Sequence, residues 1–151
     1  MKLQTKYFGE IEYDADDRFF FPNGLYGFED EKEFLIIPFE GSQASLLCLQ
    51  SIRTPMLSFI LMDPFSLDEK YTPVLQSAEL SALGAKKYDE LCYYVMCVVK
   101  QPVSDSTLNL KCPVAINPST RVSMQVILDS TEYGMRHLLS EFNGNKEGTA
   151  C

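Results

Sequence analysis

Apolar and polar residues alternate along most of this chain with the period of a half-buried strand. The alternation runs from Lys2 to Tyr7 and resumes at Glu10–Tyr13, with Gly9 permitting a turn or bulge between them. Asp14-Ala15-Asp16-Asp17 is a polar stop, and Arg18-Phe19-Phe20-Phe21 follows before Pro22-Asn23-Gly24 ends it. Further β-like runs are 34–37, 46–50, 57–62, 92–99, 108–116 and 121–128. Eight or so strands at short spacing predict an all-β, mainly antiparallel single domain, a sandwich or a barrel.

The last two runs show period 2 clearly. Leu110, Cys112, Val114 and Ile116 share one face, as do Val122, Met124, Val126 and Leu128, and Pro118-Ser119-Thr120 supplies the turn of a hairpin. Pro113 lacks an amide donor, which places an edge or a bulge at that point. Helix signals are sparse. Ser77–Leu83 reads as two turns, with Ser77 as N-cap, Glu79 in the first turn and Gly84 past the end. A second short helix near Thr131–Leu139 is weakened by Gly134. The domain is expected to span 1–139, and the polar stretch 140–151 to be a disordered tail.

Composition narrows the function. The 151 residues carry 13 Lys plus Arg against 21 Asp plus Glu, a net charge of −8. That balance argues against coating a phosphate backbone. The charge is uneven: residues 1–75 hold six basic and thirteen acidic side chains, residues 76–151 seven and eight. Such a field favours a basic partner and repels polyanions, whereas its plain alternative is a solubilising surface. Met1–Lys6 leads into alternation rather than an apolar stretch, and the longest apolar run, Leu91–Val99, is half of a membrane span. A cytoplasmic protein with reduced thiols is expected, its five cysteines forming no disulfide and Cys92 and Cys97 serving core packing.

The search for chemistry returns little. His137 is the one histidine, so any His-dependent nucleophile would need it. No Cys-x-x-Cys or zinc spacing exists, and the Asp14–Asp17 loop fails the calcium pattern at Arg18. Scattered carboxylates leave a β-barrel hydrolase open as an alternative, without an identifiable sugar platform. Gly24-Leu25-Tyr26-Gly27 has the GxxG spacing of a nucleic-acid clamp, but Glu29, Asp30 and Glu31 follow where basic neighbours are needed. What stands out is the aromatic strand opening into this loop. Its aromatics must fold back on the core or await a partner, and a shaped turn carrying Leu25 and Phe28 inward is the favoured reading.

Residues 3–138 resemble the FliW family of flagellar assembly factors. The resemblance is carried by Phe21-Pro22-Asn23-Gly24-Leu25-Tyr26-Gly27-Phe28-Glu29, Leu49-Gln50-Ser51, Phe59 through Asp63-Pro64, Thr107 through Asn117, Gln125 and Tyr133-Gly134-Met135-Arg136. Cys112 departs from the usual alanine. The resemblance implies a β-barrel-like fold, no enzymatic activity, no cofactor and no metal. It also implies two partners: CsrA, the basic dimeric carbon storage regulator that represses flagellin mRNA, and flagellin, which competes with it. A dedicated flagellin chaperone without regulator binding is the alternative. Partner contacts are expected from the loop Asn23, Leu25, Tyr26, Phe28 and Glu29 and from the acidic turn Asp63, Asp68 and Glu69 with Tyr71. Asn109 and Gln125 are polar positions on apolar strands, where structural hydrogen bonding and binding compete evenly.

Overall fold

A computed structural model describes residues 1–41 and 46–142. The strands are β1 (Lys2–Thr5), β2 (Gly9–Glu12), β3 (Phe19–Phe20), β4 (Glu33–Pro38), β5 (Leu46–Ser51), β6 (Ser58–Met62), β7 (Cys92–Val98), β8 (Thr107–Leu108), β9 (Val114–Ile116), β10 (Ser123–Gln125) and β11 (His137–Leu138). All strand-to-strand ladders are antiparallel, as the alternation demanded. β1 and β2 form a separate hairpin, and the large sheet runs β10-β9-β7-β6-β5-β4-β3, with β8 and β11 branching from β7.

This sheet is apolar on both faces. In β7, Tyr93, Val95 and Cys97 point into one core while Tyr94 and Met96 pack on the other; in β9, Ala115 belongs to the first and Val114 and Ile116 to the second. Strict period 2 therefore serves two cores at once. One core is lined by Phe21, Phe34, Leu49 and Leu61; its Phe21 and Phe34 rings meet edge to face at 5.1 Å. The other is covered by Leu75 and Leu83 from the segment holding α1 (Ser77–Ala82) and by half-buried Tyr133, Leu139 and Phe142 near the C-terminus.

The barrel-like expectation holds for class and curl but not for closure. The sheet does not close into a barrel: its edge strands β3 and β10 share no ladder. They meet at one bridge, Phe20 with Val122, where the Phe20 N–H donates to the Arg121 carbonyl at 2.9 Å. Arg121 reaches that position in the left-handed region, φ 66°, with its guanidinium over the Phe19 ring. The Pro118-Ser119-Thr120 turn forms as expected between β9 and β10.

Four local expectations need correction. The run 108–116 is not one strand, because residues 109–113 bend between β8 and β9, with the Asn109 side chain accepting from the Cys112 N–H at 3.0 Å. The helix is capped by Gln76 rather than Ser77: the Gln76 N–H donates to Glu79 Oε1 at 2.8 Å. No helix forms over 131–139; β11 and a 3-10 turn at Leu139–Phe142 stand there, and that turn includes residues assigned to the tail. Cys92 is exposed at the start of β7, not core, while Cys97 is buried on the opposite face. Residues 143–151 lie outside the described residues.

Gly24 has φ +66°, and a Cβ there would meet Glu29 O at 2.5 Å; Gly27 has φ +86° with open space around it. Gly24→Ala is therefore expected to lower unfolding free energy by about 2–4 kcal/mol and Gly27→Ala by roughly 1 kcal/mol, measured by urea unfolding.

Candidate functional site

The loop that follows β3 lies across the gap between the sheet's two edges. It is a pair of stacked turns. The Gly24 N–H donates to Phe21 O at 2.8 Å, and Leu25 and Phe28 exchange backbone hydrogen bonds of 3.2 and 2.7 Å around Tyr26-Gly27. Lys32 Nζ ties the loop's entry by donating to Pro22 O at 2.8 Å. From across the gap, β10 pins it: Gln125 Oε1 accepts from the Tyr26 N–H at 3.1 Å, and Gln125 Nε2 donates to Cys112 O at 3.4 Å. Gln125 is a staple, and sequence reasoning left its role open because a polar residue on an apolar strand has no visible partner until the loop arrives.

The loop divides its side chains. Leu25 is 2% exposed and fills the core beside Phe21, so a partner cannot touch it without opening the fold. Tyr26 and Phe28 are 55% and 40% exposed. Phe28 was expected to turn inward; instead it leans edge to face on Phe59 at 5.1 Å and keeps its other side in solvent. Asn23 and Glu29 are exposed beside them, with Glu29 Oε2 accepting from the Gly27 N–H at 3.1 Å. Burial of its hydroxyl end, then Cys112 and Glu79, push the Tyr26 phenol above its ordinary value. The result is an aromatic knuckle, held by backbone hydrogen bonds and rimmed by the Glu29 and Asp30 carboxylates.

The acidic turn is built differently. Asp63 caps the 3-10 turn Pro64–Ser66, its Oδ1 accepting from the Phe65 N–H at 2.9 Å, and Asp68 Oδ1 accepts from the Lys70 N–H at 3.0 Å. Both carboxylates thus hold backbone, and of the three Glu69 alone is exposed. Tyr71 is buried, donating its hydroxyl to Leu110 O at 2.7 Å and packing on Tyr133 at 4.7 Å between ring centres. Different elements position the two regions: Gln125 and Phe59 hold the loop, Leu110 and Tyr133 the turn.

The family model for FliW protein matches residues 2–139. This chain belongs to the FliW family of flagellar assembly factors. It is 38% identical over 139 residues to the flagellar assembly factor FliW of Geobacillus sp. (strain WCH70), covering 92% of this chain and 95% of that protein. The Thermoanaerobacter pseudethanolicus FliW is 35% identical over 141 residues, covering 93% and 94%. The fold is similar to a crystal structure of the flagellar assembly factor FliW with a TM-score of 0.86 at 37% identity, over 92% of this chain and 96% of that one. The family match thus spans β1 to β11, including the knuckle and its staple. Among the described residues no helix is long and apolar enough to cross a membrane.

Two measurements check these roles. Gln125→Leu should leave the fold intact but remove the acceptor for the Tyr26 N–H, costing about 1 kcal/mol and speeding hydrogen exchange at Tyr26 more than at β5 amides. Burial first, then Tyr133, Cys112 and Tyr93, push the Tyr71 phenol far above its ordinary 10.0, and burial does the same to Tyr93. A raised folded value means stability is fully present below about pH 10 and is lost as pH climbs beyond it, because the unfolded chain ionises first. Tyr71→Phe should therefore be less stable at pH 7, through the lost bond to Leu110, yet show a shallower alkaline decline in unfolding titrations.

Proposed function

We propose that this FliW-family protein is a cytoplasmic, non-enzymatic binding protein that captures the translational repressor CsrA, relieves repression of flagellin mRNA, and binds flagellin in competition with it. The observation that carries this reading is the knuckle: Tyr26 and Phe28 exposed on a loop tied at its entry by Lys32 and at Tyr26 by Gln125, rimmed by Glu29 and Asp30, in the half of the chain holding thirteen of the 21 acidic residues. Exposed aromatics supply contact area at small entropic cost, and the carboxylates steer an RNA-binding, hence basic, partner toward them while repelling its RNA. Accumulated flagellin would occupy the protein and leave the regulator free to repress; export of flagellin would release it.

Calorimetric titration with the organism's CsrA, alone and after saturation with its flagellin, tests the reading. Tight binding abolished by flagellin is the expected result. Binding of flagellin without any binding of CsrA would replace the proposal with the dedicated-chaperone function. Electrostatic capture further requires that the association rate with CsrA fall about tenfold or more between low and physiological salt in stopped flow, and a salt-independent rate would remove steering from the account.

A further inference from the structure

Away from the knuckle, a trough of ≈560 Å³ opens over the ends of β6 and β7. Its rim is apolar and wet: Tyr7 from the β1–β2 turn, Val98 and Val99 at the end of β7, and Met135 before β11 are 47%, 58%, 46% and 59% exposed. These side chains come from three separate parts of the chain, so the trough is a product of the fold and not of one amphipathic segment. Apolar patches gathered this way mark interaction surfaces, and a methionine at the rim lets such a surface adapt to its occupant.

Its charge is opposite to that of the molecule. Among the described residues no carboxylate lines the trough, whereas Arg136 does, and Lys6 Nζ stands 5.4 Å from the ring centre of Tyr7, one of the lining residues. Arg136 has no ion pair among the described residues. Asn109, also in the lining, spends its Oδ1 on the Cys112 N–H and its side chain also hydrogen-bonds the Cys112 thiol. Arg136 is thus the one charged side chain among the described residues of the lining, with no carboxylate there to balance it.

We propose that this trough docks a partner segment that is apolar along one side and carries a carboxylate set against Arg136. A second copy of this chain is a poor occupant, since two bodies of net charge −8 repel. A basic segment would meet Arg136 and Lys6. An acidic amphipathic segment gains both the apolar rim and the unpaired guanidinium, and it is the kind of partner that the acidic knuckle repels. The inference stands on residues separate from the knuckle and does not depend on the function proposed above.

The test uses the full chain and two synthetic helical peptides that share one leucine stripe, the first flanked by Glu and the second by Lys. Fluorescence anisotropy should show the Glu peptide binding more tightly. Arg136→Glu should weaken it roughly fivefold or more and shift the preference toward the Lys peptide. Met135→Glu, on an exposed side chain, should weaken the Glu peptide as well. Failure of the Glu peptide to bind, equal binding of both peptides, or a Glu-peptide affinity unchanged by both substitutions would overturn the proposal. Concentration-dependent dimerisation of the peptide-free protein that Met135→Glu abolishes would also overturn it, assigning the trough to a second copy.

Discussion

A curled sheet with apolar side chains on both faces has two edges that must be held together, and here one backbone hydrogen bond, the Arg121 side chain over Phe19 and one loop hold them. The Phe20 N–H to Arg121 carbonyl bond is the only bridge between β3 and β10 among the described residues. Such a bond contributes about 1 kcal/mol by itself, too little to keep water from Phe21 and Phe34 if the edges could part. The loop after β3 makes up the difference. Leu25 fills the core beneath it, and Gln125 ties its backbone to the opposite edge. The unclosed edge therefore explains why an apolar, glycine-rich loop exists, and the loop in turn explains why Tyr26 and Phe28 stand rigid and exposed.

This coupling changes how the loop's residues are weighed. Gly24 serves the turn, since no Cβ fits against Glu29; Leu25 serves the core; Gln125 serves the tie. What these leave for a partner is Asn23, Tyr26, Phe28 and Glu29. In the acidic turn the same sorting removes Tyr71, which belongs to the second core, and leaves Asp63 and Asp68 half-committed to capping. The proposed binding surface is what remains after structural duties are assigned.

The strands were legible because period 2 is written directly in the side chains, and β4, β5, β6 and β7 fall where alternation and apolar runs put them. The bend at 109–113 was not, since Leu110 and Cys112 are buried with the same parity that a continuous strand would give, and the deciding bond from Cys112 to Asn109 is a property of the bent chain. Cys92 sits in an apolar run but at the strand's exposed end, which composition cannot reveal. Likewise the 131–139 segment has helical composition, yet β8 offers it a free edge, and pairing His137 with Leu108 prevails. The trough was not legible in the sequence because Tyr7, Val98 and Met135 are distant in the chain.

The central claim is that the exposed aromatics of the pinned loop grip the regulator, and it is tested most directly by replacing both, Tyr26→Ser with Phe28→Ser, and titrating the variant with CsrA. Tyr26 and Phe28 are both exposed and only the Phe28 contact with Phe59 is lost, so the double variant should stay folded with a modestly lower thermal midpoint and lose CsrA affinity by roughly a hundredfold or more. An unchanged affinity in a folded variant would contradict the account and move the interface away from the loop.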